Sequence, residues 1–386
     1  MKDYTYIQSQ TIEWLRFPLI IAVVFIHNPG LPSEYVLPNL GAGGFWLCLS
    51  IYIKVFFSHV LAHIAVPIYF FISGYLFFLK TPVLTKEIYT DKLKKRWNSL
   101  VIPYLLWNIF PILVVICLWF LKYIIFNHDI GVFMDKLIAY FDSNGWLSLF
   151  WNTKEWGGNV INWIGQPVMG SGPINYPLWY IRDLIVVVLL SPGIYYCIKM
   201  MKQWFLIIML FFYFSGIWPQ LPGFSATAIL FFGWGGYFSI NKLSFVVLFR
   251  RIEIPAYIVT LLLMIADTYF DGGYTRVGFN LYHAFVILGL IAAFNVSSRL
   301  IEKEKVKVNR LLTNSVLFVL ALHTTKVSNI CKLVIVKIFN LMGLSEDGLV
   351  SYFLTPLILV TLCVMVYLFA NRYIPRLTKV LTGSRS

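Results

Sequence analysis

Long apolar runs recur along this chain of 386 residues, and they constrain its fold more than any other feature. Each run is about 20 residues long, the length that an α-helix needs to cross the hydrocarbon core of a bilayer. The runs are continuous rather than alternating, which argues against a membrane β-barrel. Only 12% of the residues are charged, against roughly 25% in a soluble domain. The pattern predicts an all-α integral membrane protein, built as a polytopic bundle of helices.

The window rule for membrane segments indicates about ten transmembrane helices. They lie near residues 14–29, 60–79, 101–123, 178–198, 203–218, 225–241, 253–270, 279–296, 313–333 and 350–371. The apolar stretch at 44–59 is either an extra helix or a lead-in to the second span, and the sequence leaves both interpretations open. The first run lacks a small-residue cleavage site, so we expect it to be retained as a membrane helix.

The distribution of Lys and Arg predicts the orientation of the bundle. Basic residues concentrate at 86–97, 250–253, 299–310 and 372–385, whereas the alternate connections at 218–224, 267–278 and 340–348 are poor in them. Because cations in short loops mark the cytoplasmic side, ten spans place both termini in the cytoplasm. The same topology accounts for the net charge of +14, and we expect no nucleic-acid partner.

We expect a single membrane domain over residues 1–386. Its one large excursion, at about 125–177, faces outward under this topology and is rich in Trp, Gly and Asn. The five cysteines lie in or beside apolar runs, and no pair has the spacing of a metal site, so we predict no metal. The sequence leaves the oligomeric state open.

Three polar residues share one stripe of the first apolar run. Arg16 and His27 are eleven residues apart, which on a helix is about three turns and roughly 16 Å along the axis. Glu13 precedes Arg16 by three residues and lies near the same stripe. Each residue alone is explained by reaching toward the lipid headgroups. Three of them on one face favour a lined cavity instead.

Four segments, in order, resemble one protein family. IEWLRFPLIIAVVFIH (12–27) resembles the opening helix of the membrane acyltransferase type 3 family, which carries an acidic residue, an Arg, ten residues and a His. VPIYFFISGYLFF (66–78), KKRWNSLVIPYLLW (94–107) and PLWYIRDL (177–184) resemble three further segments of that family. Within the family, they resemble the bacterial O-acetyltransferases of the enterobacterial-common-antigen and intercellular-adhesin modification branch.

The resemblance implies an integral-membrane O-acyltransferase of the bacterial inner membrane. Its donor would be a cytoplasmic acyl-CoA, by default acetyl-CoA, with succinyl as the competing acyl group. Its acceptor would be a hydroxyl of an envelope glycan or lipid-linked sugar on the outer side. His27 would act as general base, because an imidazole titrates near neutral pH, and an acyl-histidine intermediate is the alternative. Arg16 would bind the donor, and Glu13 would pair with Arg16.

The donor phosphates would bind to the basic stretch at the cytoplasmic end of the first helix. The residues predicted for that contact are Lys94, Lys95 and Arg96, together with Arg16. The chain departs from the family here, because many members carry a second basic residue three positions after the first, where this chain has Ser99. Lys94 and Lys95 then have to bind the donor phosphates together with Arg96.

Five residues are candidates for the acceptor side. A tetrahedral intermediate needs a hydrogen-bond donor for its oxyanion, and Asn28, Arg182 and His323 are the candidates. Trp179 offers an aromatic face to a sugar. Ser73 belongs to a Ser-Gly pair, for which close packing of membrane helices is the competing explanation.

Two further pairs of polar residues lie close together in the sequence. Adjacent residues do not face each other on a helix, so we expect Arg182 either to bind an acceptor or to pair with a residue other than Asp183. His59 and His63 are spaced i, i+4 as in a metal-binding pair, but the glutamate of the zincin pattern is missing. Structural roles are therefore favoured for both histidines.

The alternative function is a transporter or exporter of a polysaccharide or lipid-linked sugar. Ten spans and an intramembrane cation suit a transporter as well as an acyltransferase. Transporters often contain repeats with broken helices in matching positions, and we find no such repeat in the sequence. The stripe from Arg16 to His27, with basic residues at its cytoplasmic end, favours the acyltransferase.

Overall fold

The computed structural model describes residues 4–31, 44–81, 83–125, 130–270, 276–344 and 348–383. The helices of the first half are α1 (Tyr4–Ile26), α2 (Phe45–Lys54), α3 (Ala65–Phe78), α4 (Lys86–Arg96), α5 (Ile102–Ile125), α6 (Ile130–Asn144), α7 (Trp146–Trp151), α8 (Trp179–Leu189) and α9 (Ser191–Met201). Those of the second half are α10 (Gln203–Ser215), α11 (Ala226–Ile240), α12 (Phe245–Arg250), α13 (Glu253–Tyr269), α14 (Arg276–Glu302), α15 (Arg310–Leu322), α16 (Lys326–Leu341), α17 (Leu349–Tyr373) and α18 (Pro375–Leu381). Two strands, β1 (Lys154–Ile161) and β2 (Pro167–Gly172), form an antiparallel hairpin.

Five helical stretches are long and apolar enough to cross a membrane, namely Tyr4–Ile26, Phe45–Phe78, Lys86–Ile125, Val277–Glu302 and Leu349–Tyr373. Helices α8 and α9 pass the same test together as a sixth span, although they are bent by 62° relative to each other. Helices α10, α11 and α15 are apolar but shorter. The predicted helical bundle with several membrane-crossing segments is confirmed. By length and composition alone, five or six segments of the described residues qualify as spans, so the predicted count of ten is not confirmed.

The apolar stretch before the second span belongs to one continuous helical run. Helix α2 passes through a π-helical turn, Val55–Val60, and a 3₁₀ turn, Leu61–Ile64, into α3. Such changes of winding are short departures from α geometry inside a longer helix. Of the two interpretations of residues 44–59, the lead-in to the second span is therefore correct.

Two polar side chains of this run hold the C-terminal end of α1. Lys54 Nζ donates to the carbonyl oxygen of Gly30 at 2.8 Å, although Lys54 is almost fully buried. Ser58 Oγ donates to the carbonyl oxygen of Phe25 at 3.0 Å. The first bond is to the segment that follows α1, and the second is to a carbonyl group in the last turn of α1, where a helix leaves acceptors without intrahelical partners. The end of α1 is thereby fixed in position.

The predicted span at 313–333 is two helices rather than one. Helix α15 ends at Leu322, and α16 begins at Lys326. Thr325 is the N-cap of α16, because its side chain accepts a hydrogen bond from the amide of Ser328. His323 therefore lies at a break between helices, not in the middle of a span.

The excursion at 125–177 contains α6, α7 and the β-hairpin, so the all-α prediction missed a small sheet. In the hairpin, Trp156 pairs with Gly170, and Lys154 pairs with Gly172. The Trp156 ring lies over Gly170, where a Cβ would come within 2.5 Å of the indole. A glycine at position 170 is thus required for this tryptophan to lie across the neighbouring strand.

Helices α3 and α11 pack at backbone distance in the centre of the bundle. A Cβ on Gly74 would lie 1.9 Å from the carbonyl oxygen of Phe232, and one on Gly235 would lie 2.0 Å from that of Phe71. Small residues let membrane helices approach this closely. The close-packing interpretation of the Ser-Gly pair is therefore confirmed at Gly74.

We predict that Gly74→Ala destabilises the bundle, because the added methyl group forces α3 and α11 apart. Overpacking of this kind typically costs about 1–3 kcal/mol, so the detergent-solubilised protein should unfold at a lower temperature when followed by tryptophan fluorescence. Gly193→Ala on α9 is the matched control, since a Cβ there meets nothing within 4 Å. Equal unfolding temperatures for the two variants would contradict the packing argument.

Candidate active site

His27 opens onto a cavity between the helices, which we call the His27 cavity. It has a volume of about 210 Å³, and α1 and the residue after it line it with Ile20, Val23, Ile26 and His27. Ile20, Val23 and His27 have the spacing of one helix face, and Arg16 lies one turn before Ile20 on that face. The stripe predicted from the sequence is therefore the face of α1 that borders the cavity.

Arg16 and Glu13 lie on α1 toward its N-terminal side, away from His27. Both are partly exposed. The carbonyl oxygen of Arg16 accepts a hydrogen bond from Tyr69 Oη at 2.5 Å. The carbonyl oxygen of Glu13 lies 3.5 Å from Thr313 Oγ1. These two contacts set the position of α1 along its axis relative to α3 and α15.

Aromatic and aliphatic side chains from five other parts of the chain complete the His27 cavity. They include Val66 and Tyr69 of α3, Tyr176, Trp179 and Tyr180 at the start of α8, Val316, Leu317 and Leu320 of α15, Tyr282 of α14 and Trp156 of β1. A mostly apolar concave site with a few polar groups is typical of small-ligand binding.

Two aromatic rings flank His27. Tyr176 meets it edge-on at 5.1 Å between ring centroids, and His323 lies at 5.2 Å with an interplanar angle of 47°. His63 lines the same cavity, and its Nδ1 is 3.4 Å from Tyr282 Oη. Two histidines, His27 and His63, thus line the cavity, and His323 lies beside His27.

His323 is completely buried, and its Nδ1 lies 3.0 Å from the carbonyl oxygen of Val319. Because a carbonyl oxygen only accepts hydrogen bonds, this contact requires the proton on Nδ1. A neutral His323 then has no N–H left to offer an oxyanion. The geometry does not favour the predicted oxyanion role for His323.

Asn28 is also engaged elsewhere. Its Nδ2 donates to the carbonyl oxygen of Val24 at 2.6 Å. This bond satisfies a carbonyl near the C-terminal end of α1. Because the amide nitrogen carries two N–H groups, this bond alone does not exclude the predicted oxyanion role of Asn28.

Arg182 connects α8 to the excursion at 125–177. Its Nη1 donates to the carbonyl oxygen of Trp151 at 2.6 Å, and its Nη2 donates to that of Ser171 at 2.8 Å. Nε and Nη2 both donate to Asp183 Oδ1, at 3.0 and 2.9 Å. The expectation that Arg182 does not pair with Asp183 is therefore wrong, because the long side chain folds back along the helix. Arg182 acts as a structural clamp, and its donors are occupied.

Trp179 lies on the wall of the site, whereas Ser73 lines none of the three cavities described for this part of the chain. Ser73 Oγ is 3.3 Å from Tyr180 Oη, which places the serine between α3 and α8. Trp179 lines the His27 cavity and also a larger groove beside it. Of the two predicted acceptor residues, Trp179 is therefore the one that borders both spaces.

The larger space, which we call the aromatic groove, has a volume of about 640 Å³. It shares His63, Trp156, Trp179, Thr227 and Tyr282 with the His27 cavity. Its further lining residues include Trp218, Gln220, Glu155 and Asn152. The two spaces are therefore neighbours with a common wall.

A third space, the basic cavity, lies at the C-terminal end of α3. It has a volume of about 310 Å³ and is lined by Leu76, Phe77, Lys92, Lys95, Arg96 and Ser99. Lys92 Nζ donates to the carbonyl oxygen of Phe77 at 2.5 Å, a favourable place for a cation at a helix end. Of the three cations predicted here, Lys95 and Arg96 line the cavity, while Lys94 is exposed to one side and Lys92 takes its place.

Four residues that border these spaces are not among the site residues predicted from the sequence. Trp156 was one of several outer tryptophans with no distinguishing position, and Tyr176 follows a Gly-rich stretch without helical periodicity. His63 was assigned a structural role on its spacing from His59. Lys92 differs from Lys94 only in the helix face that it occupies, so a helical projection of 86–97 was the signal that would have found it.

Within the described ranges, no three His, Cys, Asp or Glu side chains are grouped so that they could hold a metal ion.

Comparison with known proteins gives two matches. The model of the acyltransferase 3 family, described as an acyltransferase domain, matches residues 10–370. The succinoglycan biosynthesis protein ExoH of Rhizobium meliloti (strain 1021) is 28% identical over 393 aligned positions, which cover 98% of this chain and 93% of ExoH. No solved structure matches the chain.

We predict that Arg182→Lys loosens the excursion at 125–177. A lysine offers three donors on one nitrogen and cannot reproduce the planar fork that reaches Trp151, Ser171 and Asp183. Losing part of a buried charge network costs about 3–5 kcal/mol. Hydrogen exchange followed by mass spectrometry should show faster exchange over residues 151–172.

Arg299→Lys is the matched control for this substitution. Arg299 pairs with Glu253 at 2.7 Å, but its side chain is 44% exposed, and exposed pairs contribute about 0–1 kcal/mol. We therefore expect little change in exchange. If Arg182→Lys leaves residues 151–172 as protected as this control does, the clamp assignment fails.

Proposed function

Because the chain belongs to the acyltransferase 3 family, a family of membrane acyltransferases, we propose that it transfers an acyl group from cytoplasmic acyl-CoA to a hydroxyl of an envelope polysaccharide or lipid-linked sugar. The observation that carries this proposal is the placement of His27 and the basic cavity at the two ends of one route along α3. The acyl group is acetyl in this proposal, as the family resemblance implies.

The route follows a stripe of α3. Val66 and Tyr69 border the His27 cavity, Leu76 borders the basic cavity, and Ser73 lies between them. These four positions have the spacing of one helix face, and Val66, Ser73 and Leu76 remain partly exposed on a helix that is otherwise buried. Seven residues separate Tyr69 from Leu76, about 10 Å along the axis. A linear pantetheine arm fits such a passage.

The donor phosphates would lie in the basic cavity. Lys92, Lys95 and Arg96 supply charge-assisted donors there, and Ser99 supplies a hydroxyl where many family members carry a second cation. Arg16 would meet the donor further along, because the bond from Tyr69 to its carbonyl places it beside the α3 stripe. Glu13, one turn earlier, would set the charge around Arg16.

The thioester would then lie beside His27. The acceptor oxygen attacks the thioester carbonyl carbon while His27 takes the hydroxyl proton. The tetrahedral intermediate expels the donor thiolate, which takes the proton back from His27. The products are an ester and free CoA thiol.

The acceptor would enter through the aromatic groove. Trp156, Trp179 and Trp218 present flat apolar faces that suit the C–H surfaces of sugars, while Gln220 and Glu155 offer polar groups. The relative ExoH is a succinoglycan biosynthesis protein, which supports a polysaccharide as the acceptor class.

The proposed chemistry requires a defined arrangement in the membrane. We propose a single domain over residues 1–386 in the bacterial inner membrane, with ten spans and both termini in the cytoplasm. The shorter helices α10, α11, α13 and α15 would then complete the count. The excursion at 125–177 would face outward, with its hairpin forming one wall of the acceptor groove.

We predict that His27→Ala abolishes transfer. A positioned general base contributes roughly 10²- to 10⁴-fold to the rate. The measurement is the ester-linked acyl content of envelope glycans by mass spectrometry, in cells with no protein, wild type or His27→Ala at matched membrane levels. His59→Gln is the control, because His59 does not line the His27 cavity, and this variant should retain activity.

An acyl group that appears with wild type and not with His27→Ala would support the transfer reaction and identify both acyl group and acceptor. Equal acyl content in all three strains would contradict an acyltransferase. Export of the unmodified glycan would then be the function to test.

We predict that Lys95→Gln together with Arg96→Gln raises the apparent KM for acyl-CoA. Each hydrogen bond to a charged group is worth about 1.5–3 kcal/mol, so the KM should rise at least tenfold. The assay is transfer in membrane vesicles with acyl-CoA added on the cytoplasmic side. Lys86→Gln, exposed on the same helix, controls for general effects of charge on insertion.

Lys94→Gln tests whether Lys94 binds the donor phosphates, as predicted from the sequence, or lies outside their site, as the structure indicates. The residue is exposed and lies to one side of the basic cavity, so we expect a smaller rise in KM than for the Lys95 and Arg96 pair. A larger rise would place the donor phosphates elsewhere on α4.

A further inference from the structure

The break between α15 and α16 places an unused nitrogen next to His27. His323 is fully buried, and its Nε2 has no hydrogen-bond partner among the described residues. The other nitrogen, Nδ1, faces the carbonyl oxygen of Val319 at 3.0 Å. An unpaired buried polar atom is unfavourable, so its presence in a ring beside the candidate base requires a reason.

The Val319 contact determines which nitrogen of His323 carries the proton. The carbonyl only accepts, so Nδ1 is the donor and a neutral ring leaves Nε2 as an acceptor. The ring of His27 lies 5.2 Å away between centroids. At that separation, two imidazoles can bring one nitrogen of each to about 3 Å, a hydrogen-bond distance.

We propose that His323 is a positioning residue for His27: its Nε2 accepts the N–H of His27, fixes the tautomer and rotation of that ring, and leaves the other His27 nitrogen unprotonated toward the cavity. This inference rests on the proposed role of His27 as general base. A base oriented by a third group is the arrangement that activates hydroxyl nucleophiles in acyl transfer. Here a neutral imidazole takes the place that a carboxylate usually occupies.

Hydrogen bonds around His323 fix the backbone next to it. Thr325 Oγ1 and Ser328 Oγ both donate to the carbonyl oxygen of Leu322, at 2.8 and 2.6 Å. These bonds fix the backbone where α15 ends. The ring therefore has its backbone and one nitrogen fixed, and only Nε2 is left for another partner.

A matched pair of substitutions separates the positioning role from a merely structural one. In His323→Gln, the side-chain carbonyl oxygen reaches the place of Nε2, and the donor at the place of Nδ1 is lost. In His323→Asn, the amide nitrogen takes the place of Nδ1, and the acceptor at the place of Nε2 is lost. The two variants thus each keep one of the two bonds.

The experiment measures transfer kinetics of wild type, His27→Ala, His323→Gln and His323→Asn in membrane vesicles. We expect His323→Asn to lower kcat at least tenfold more than His323→Gln does, with the KM values for donor and acceptor unchanged. If His323→Asn is as active as His323→Gln, or more active, the bond to Val319 is what matters and the proposal is overturned. Inactive wild type, or active His27→Ala, would instead overturn the proposed function.

A second measurement needs no stable His323 variant. Solid-state NMR of wild type labelled with ¹⁵N-histidine distinguishes protonated from unprotonated ring nitrogens among the six histidines. The His27 signals are assigned by their loss in His27→Ala, and His323 by its coupling to them. We expect a protonated Nδ1 and an unprotonated Nε2 at His323. A protonated Nε2 at neutral pH would overturn the proposal.

Discussion

The contact between the backbones of α3 and α11 is the constraint on which the rest of the structure depends. In a bilayer, the lipid tails are as apolar as the side chains, so helices associate through close packing rather than through hydrophobic burial. Gly74 and Gly235 remove the side chains that would hold the two helices apart. The rest of α3 is then covered except along Val66, Ser73 and Leu76. The same packing that stabilises the bundle therefore leaves a partly exposed stripe on α3, and the two ends of this stripe border the His27 cavity and the basic cavity.

Polar contacts hold the excursion at 125–177 in position against the bundle. The guanidinium group of Arg182 donates hydrogen bonds to carbonyl groups of α7 and β2. It also forms an ion pair with Asp183 at 2.9 Å. A buried arginine is tolerable because every donor meets an acceptor in a fixed fork. The hairpin that carries Trp156 is thereby attached to α8, which carries Trp179. Arg182 therefore helps to set the relative position of the two tryptophans that border both spaces.

The sequence predicted those parts of the molecule that depend on local pattern. Apolar run lengths located helices at all ten predicted positions, and the spacing of Arg16 and His27 identified the face of α1 that borders the cavity. It failed where a few residues override the pattern. The run at 313–333 looks continuous, yet Thr325 caps a new helix, so His323 lies at a break. Lys92 and Lys94 are equally basic, and only the packing of α4 against Phe77 separates them. Contacts between distant segments, such as His27 with His323, leave no trace in either segment alone.

The α3 stripe has a consequence for which donors the protein can use. Both of its ends are fixed, because Phe77 is tied to Lys92 at one end and Tyr69 is tied to α1 at the other. In the proposed reaction, the anionic group of a donor and its reactive carbonyl therefore have to be a set distance apart. A short acyl phosphate or a small thioester cannot reach both places at once. The helix thus imposes a length requirement on the donor, independent of any contact that recognises the acyl group itself.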